Sequence, residues 1–71
     1  MDYSIIYDKD DRLCTEPLTR KNMSQLSNKF NIKSCWLETN YYKIPPFRKE
    51  KVREGAKKVS THYMDKILKD G

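Results

Sequence analysis

The chain has 71 residues, 37% of them apolar and 35% charged, with a formal net charge of +5. A domain this short buries only about 60% of the surface its unfolded chain exposes, which excludes a large core and a second domain. No apolar run approaches the roughly 20 residues that span a bilayer, and the N-terminus lacks the basic-then-apolar layout of a secretory leader, so a cytoplasmic protein with no membrane partner is expected.

Residues 1–16 read as an acidic N-terminal arm or hairpin, in which Asp2, Asp8, Asp10, Asp11 and Glu16 stand against Lys9 and Arg12, a net of −3. The β-branched and aromatic run Tyr3, Ser4, Ile5, Ile6, Tyr7, followed by the turn-forming Asp8 to Asp11, fits a short strand or hairpin continuing through Arg12, Leu13 and Cys14. A helical start is the alternative, because five consecutive residues satisfy neither period. The rest of the chain carries 13 Lys and Arg against five acids, a net of +8. A basic body of this kind suits a polyanionic partner, because positive potential steers nucleic acid and releases its condensed counterions. Lysines that merely solubilise a small protein are the plainer explanation.

After Pro17, Asn22 and Gln25 resemble a capping box ahead of the apolar positions Met23, Leu26 and Phe30. The spacing predicts a helix from near Asn22, or from Thr19, to Phe30, closed by Asn31 in the left-handed conformation. Ser34 then suits the cap of a second helix with Leu37 and Tyr41 one turn apart, ending before Ile44, Pro45 and Pro46. From Phe47 onward, Val52, Ala56, Val59, Tyr63 and Ile67 recur at helical spacing, which predicts one basic amphipathic helix over 47–71. Gly55 falls inside that helix at a cost of about 1 kcal/mol relative to Ala, which points to close approach of a neighbouring element.

The stretch QLSNKFNIKSCWLETNYYKI, Gln25 to Ile44, resembles the helix-turn-helix superfamily: Leu26 and Ser27 take the apolar and small positions of the first helix, Phe30, Asn31 and Ile32 the turn, and Leu37 the anchor of the recognition helix. Asn31 stands where Gly is usual, and Asn40 where an apolar residue often falls. The ending KIPPF is similar to the proline element that follows the recognition helix in small winged-helix excisionases and related phage and mobile-element regulators. The resemblance implies a mainly α, three-helix domain with the helix-turn-helix over 17–46, and a role in transcription control or recombination on double-stranded DNA. With Leu37, Tyr41 and Ile44 inward, Ser34, Cys35, Glu38, Thr39 and Tyr42 would face outward as base readers. Lys33, Lys43 and Arg48, with Lys21 and Lys29, would contact phosphates. An ordinary helical hairpin in which Trp36 and Tyr42 pack on the last helix is the other reading of this span.

Nothing in the sequence assembles a catalytic or metal centre. His62 has no identifiable Ser or Cys partner, and Cys14 and Cys35 lack the spacing of a zinc site and are expected as free thiols in a reducing compartment. Counting from Asp8, the Gly and Glu of a calcium loop would fall at Leu13 and Thr19. No enzyme activity and no cofactor are expected. A different class of function stays open: a small phage-type protein that binds and inhibits a host protein through the acidic head, the C-terminal stripe or its five tyrosines. The same stripe would suit pairing with a second copy in a homodimer, and structured RNA is a further candidate ligand for the basic helix.

Overall fold

The computed structural model describes residues 2–70. Its centre is a sheet, and the sheet begins where the acidic segment folds on itself. β1 (Ser4–Tyr7) pairs antiparallel with β2 (Arg12–Glu16), matching Ser4 with Glu16, Ile5 with Thr15, Ile6 with Cys14 and Tyr7 with Leu13. Asp8 makes the turn: its Oδ1 accepts from the backbone N–H of Asp10 at 3.0 Å and of Arg12 at 3.1 Å, the Asx pattern that short acids favour at reversals. Asp11 takes the left-handed conformation, φ 62°, which Asp tolerates better than most residues.

Two short strands extend the hairpin on both sides. β3 (Tyr42–Lys43) runs antiparallel to β2, and β4 (Lys57–Lys58) runs parallel to β1, giving the order β3-β2-β1-β4. Ile5 and Ile6 are both buried although they point to opposite faces, and so are Leu13, Cys14 and Thr15. A strand pair buried on both faces needs a layer on each side. α3 (Thr61–Asp70) covers the face of Ile6, Arg12, Cys14 and Glu16: Cys14 Sγ lies 3.4 Å from Met64 Sδ, Arg12 reaches Asp65, and the Tyr63 hydroxyl donates to Glu16. α1 (Arg20–Phe30) contacts β2 and supplies Met23, Leu26 and Phe30 to the core shared with Ile5, Leu13 and Tyr42 on the other face. α2 (Lys49–Gly55) buries Val52 and brings Gly55 against the Phe30 ring.

The mainly α, three-helix expectation is therefore corrected to a mixed α/β fold of three helices and a four-stranded mixed sheet. α1 forms as its local signals dictate. Thr19 caps it, accepting from Asn22 N–H at 3.0 Å, and Asn31 closes it at φ 53°, ψ 48° while Ile32 N–H donates back to Ser27. The recognition helix does not form. Ser34–Trp36 makes a single 3₁₀ turn, Leu37 is extended, and Glu38 N–H donates to the Tyr41 carbonyl at 2.8 Å, closing a tight reversal into β3. Thr, Asn and Tyr at 39–42 are poor helix formers, and the open edge of β2 offers ladder bonds that also bury Tyr42 and Ile44. Without that helix there is no helix-turn-helix over 17–46.

The C-terminal helix over 47–71 is corrected too. Pro46–Arg48 is a 3₁₀ turn, α2 ends at Gly55, and residues 57–59 leave the helical path to pair with β1, Val59 N–H donating to the Tyr7 carbonyl at 2.8 Å. Ser60 then starts α3, its Oγ accepting from Tyr63 N–H. The stripe of Val52, Ala56, Val59, Tyr63 and Ile67 thus crosses two helices and a strand, and no single face carries it to a second copy. α3 buries Met64 and Leu68 instead, while Tyr63 is exposed. Among the described residues, no helix is long and apolar enough to cross a membrane.

Candidate nucleic-acid interface

The two residues before Phe47 are prolines, and their fixed φ leaves the backbone little freedom. Pro45 is fully buried and anchors the loop, and Phe47, one residue into the 3₁₀ turn, is held outward at 69% exposure. Trp36, on the preceding 3₁₀ turn, meets it edge to face, with ring centroids 6.1 Å apart and planes at 76°. The Arg48 guanidinium lies 5.3 Å from the Phe47 ring centroid, within cation–π range. Asn31, Ile32, Lys33, Trp36, Pro45, Phe47 and Arg48 enclose a cleft of about 460 Å³, within the range of small-ligand pockets.

The cleft is apolar in its walls and cationic at its rim. No carboxylate lines it, and neither Lys33 nor Arg48 has an ion-pair partner among the described residues, where the carboxylates of Asp8, Asp65 and Asp11 pair with Arg12 and Lys49. Arg48 Nε is buried and has no hydrogen-bond partner among the described residues. A buried donor left unpaired costs about 1–3 kcal/mol, a deficit that the fold carries at this residue. Lys29, on α1, lies outside the cleft, its Nζ 5.7 Å from the Phe30 ring.

The residues expected to read bases are dispersed. Ser34 and Cys35 are exposed on the 3₁₀ turn beside Trp36. Glu38 points into a cleft of mixed charge with Asp10, Arg12, Tyr41, Lys43 and Asp65, and Thr39 lines a groove beside α1 with Arg20, Met23 and Leu37. Tyr42, expected outward, is buried at 7% exposure because its position in β3 turns it under the sheet opposite Leu13, and Leu37, expected as an anchor, is 46% exposed. Of the expected phosphate contacts, the fold brings Lys33 and Arg48 together in one cleft and places Lys29 apart, beside Phe30 and Gly55. Lys21 is exposed on α1, and Lys43 lies opposite Arg12 on the sheet face that α3 covers.

Sequence reasoning took Trp36 as a residue that packs on the core and did not single out Phe47. The one signal was the rigid Pro45-Pro46 step, which presents the next side chain rather than burying it.

The remaining titratable groups hold the fold. Partial burial disfavours the Arg12 charge, but hydrogen bonds to Asp65 and Asp8 outweigh it and raise its pKa. Its guanidinium also donates to the Thr61 carbonyl, which ties the β1–β2 turn to α3. The hydrogen bond to Glu16 raises the Tyr63 pKa. Burial, then the charges of Asp8 and Glu16, push the Cys14 thiol up to about 12. Among the described residues no three His, Cys, Asp or Glu side chains lie together as metal ligands. Comparison with protein-family models, curated proteins and solved structures found no match.

Proposed function

We propose that this chain is a non-enzymatic RNA-binding protein that holds an unpaired nucleotide in the Trp36–Phe47–Arg48 cleft, in the cytoplasm, where its two free thiols are stable. The observation that carries the reading is an aromatic ring 69% exposed beside a second aromatic and two cations that lack carboxylate partners among the described residues. Nucleobases of any sequence stack on such rings, and arginine adds both a stacking plane and a phosphate contact. Duplex DNA fits less well, because the short outward helix that would have entered its major groove is a 3₁₀ turn. RNA is favoured because its recognition concentrates on loops and ends, where unstacked bases reach aromatic side chains.

The rival reading, capture of a host protein through the acidic head or the C-terminal stripe, draws less support from its tyrosines. Tyr42 is buried, Tyr3, Tyr7 and Tyr41 are half-buried, and the Tyr63 hydroxyl is held by Glu16.

Trp36 is the only tryptophan, so its emission reports the cleft directly. Titration with an RNA hairpin carrying an unstructured loop should quench it, with weaker binding to fully paired RNA and to duplex DNA of matched length. Phe47→Ala should weaken loop binding by about 5- to 150-fold, the equivalent of about 1–3 kcal/mol per stacked base. Equal affinity for loop and duplex, or a Phe47→Ala variant that binds as wild type, overturns the proposal.

A further inference from the structure

A second cleft, of about 240 Å³, opens at the end of β1, lined by Tyr7, Asp8, Lys9, Asp11, Ile44, Lys49, Arg53 and Lys58. Four elements converge there: the β1–β2 turn gives Lys9, α2 gives Lys49 and Arg53, β4 gives Lys58, and the segment after β3 gives Ile44. Its two acids are already engaged. Asp8 Oδ2 lies 2.7 and 2.8 Å from the Arg12 guanidinium, and Asp11 Oδ2 lies 3.2 Å from Lys49 Nζ. Lys9, Arg53 and Lys58 are exposed and have no carboxylate partner among the described residues.

We infer that this cleft is a phosphate-binding station for the same RNA strand whose unpaired base occupies the aromatic cleft, an inference that rests on the RNA-binding reading. Consecutive residues Arg48 and Lys49 line one cleft each, so the chain passes directly from the first to the second. Arg53 lies five residues beyond Arg48, about 7.5 Å farther along the chain at 1.5 Å rise per residue, a gap that a short run of nucleotides bridges. The second cleft holds a smaller group than a base. It has no exposed aromatic, and its volume is below that of common small-ligand pockets. Three unpaired cations around a small hollow match a phosphodiester, whose oxygens accept from Lys and Arg donors while the condensed counterions leave. The polarity of the strand follows α2, with the base at its N-terminal side and the phosphates running toward β4.

The test is the salt dependence of hairpin-RNA binding, read from Trp36 emission, for wild type, for the triple variant Lys9→Gln, Arg53→Gln, Lys58→Gln, and for a control triple variant of equal charge change, Arg20→Gln, Lys66→Gln, Lys69→Gln. Each replaced side chain is exposed, and circular dichroism confirms that each variant folds. The first variant should lower the log–log salt slope by about 0.7 for every phosphate it no longer neutralises and weaken binding at low salt, with the quench at saturation unchanged because the base still stacks. The control should keep the wild-type slope. A slope unchanged in the first variant while wild type binds, or an equal fall in the control, overturns the phosphate station and leaves the aromatic cleft standing. Absence of any quench by hairpin RNA in wild type overturns the RNA reading, and the station with it. An identical slope with RNA bearing or lacking a 5′-phosphate assigns the interaction to internal phosphodiesters; a slope that falls only with the 5′-phosphorylated strand would overturn that assignment in favour of an end-binding site.

Discussion

Replacing Asp8 with Asn changes one atom in a fully buried side chain and should remove a large part of the protein's stability. Oδ1 of Asp8 accepts two backbone N–H groups, and an amide oxygen placed there can keep both. Oδ2 faces Arg12 Nε at 2.8 Å and a terminal guanidinium nitrogen at 2.7 Å, so an amide NH₂ in its place sets donor against donor. The Arg12 side chain is only 18% exposed and keeps a single carboxylate, Asp65, which is 64% exposed. Removing one partner of a buried pair costs about 3–5 kcal/mol. Total stability for a chain of this length is roughly 4–11 kcal/mol, at 0.05–0.15 kcal/mol per residue. Urea unfolding followed by circular dichroism should therefore show Asp8→Asn losing about a quarter or more of the wild-type free energy. Asp65→Asn, which breaks only the exposed arm of the same node, should cost less than about 1 kcal/mol. If the two variants lose the same amount, or Asp8→Asn loses under about 1 kcal/mol, the buried Asp8–Arg12 pair is not the dominant contact of this node.

Gly55→Ala would place a Cβ 2.9 Å from Phe30 Cζ and 3.0 Å from Cε1. Overpacking costs about 1–3 kcal/mol against a helix-propensity gain of at most about 1 kcal/mol, so a net loss near 1 kcal/mol should lower Tm by about 4–8 °C; an equal or higher Tm contradicts the packing. Of the two thiols, exposed Cys35 should react at once with a maleimide and buried Cys14 only on unfolding; labelling of both at equal rates in the folded protein contradicts that placement. Because the folded state holds the Cys14 proton up to about pH 12 while an unfolded thiol releases it from about pH 9, this group's contribution is intact below pH 9 and lost as pH rises toward 12. The slope approaches about 1.4 kcal/mol per pH unit. Tyr63, also raised, acts in the same direction above pH 10, and Cys14→Ala should flatten the earlier part of the fall.

The parts of the fold legible in the sequence are those specified by neighbours along the chain. The burial of Met23, Leu26 and Phe30 and the left-handed Asn31 follow from spacing and cap chemistry, and one of the two expected starts, Thr19, is the cap. The N-terminal hairpin was one of two readings, and the Asp8 turn settles it. What failed depended on partners far away in sequence. Leu37 and Tyr41 have helical spacing, but Tyr42 and Lys43 complete a strand whose partners are Leu13 and Arg12. The stripe from Val52 to Ile67 satisfied a helical period through a strand at 57–58, because Lys57 and Lys58 found Ile6 and Tyr7. Gly55 and the Ser60 cap were the local breaks that outweighed it. The site divides the same way. Lys33 and Arg48 were legible from charge, whereas the meeting of Trp36 and Phe47 required the reversal at 37–42 that no local signal announced.

That division also explains why the exposed aromatic cleft lies between α1 and α2. Ile5 and Ile6 on opposite faces oblige a chain of 71 residues to cover its sheet twice, with α3 on one side and α1 with α2 on the other. Residues 33–48 connect α1 to α2 and bury Tyr42, Ile44 and Pro45, which leaves Trp36 and Phe47 at the surface of the core rather than in its interior. A lone exposed apolar residue is ordinary on any protein. An exposed ring that packs edge to face on another, under an arginine whose buried Nε–H lacks an acceptor among the described residues, leaves both an apolar face and a hydrogen bond incomplete. In the proposed complex a nucleobase covers that apolar face, and its phosphate lies against the Arg48 charge.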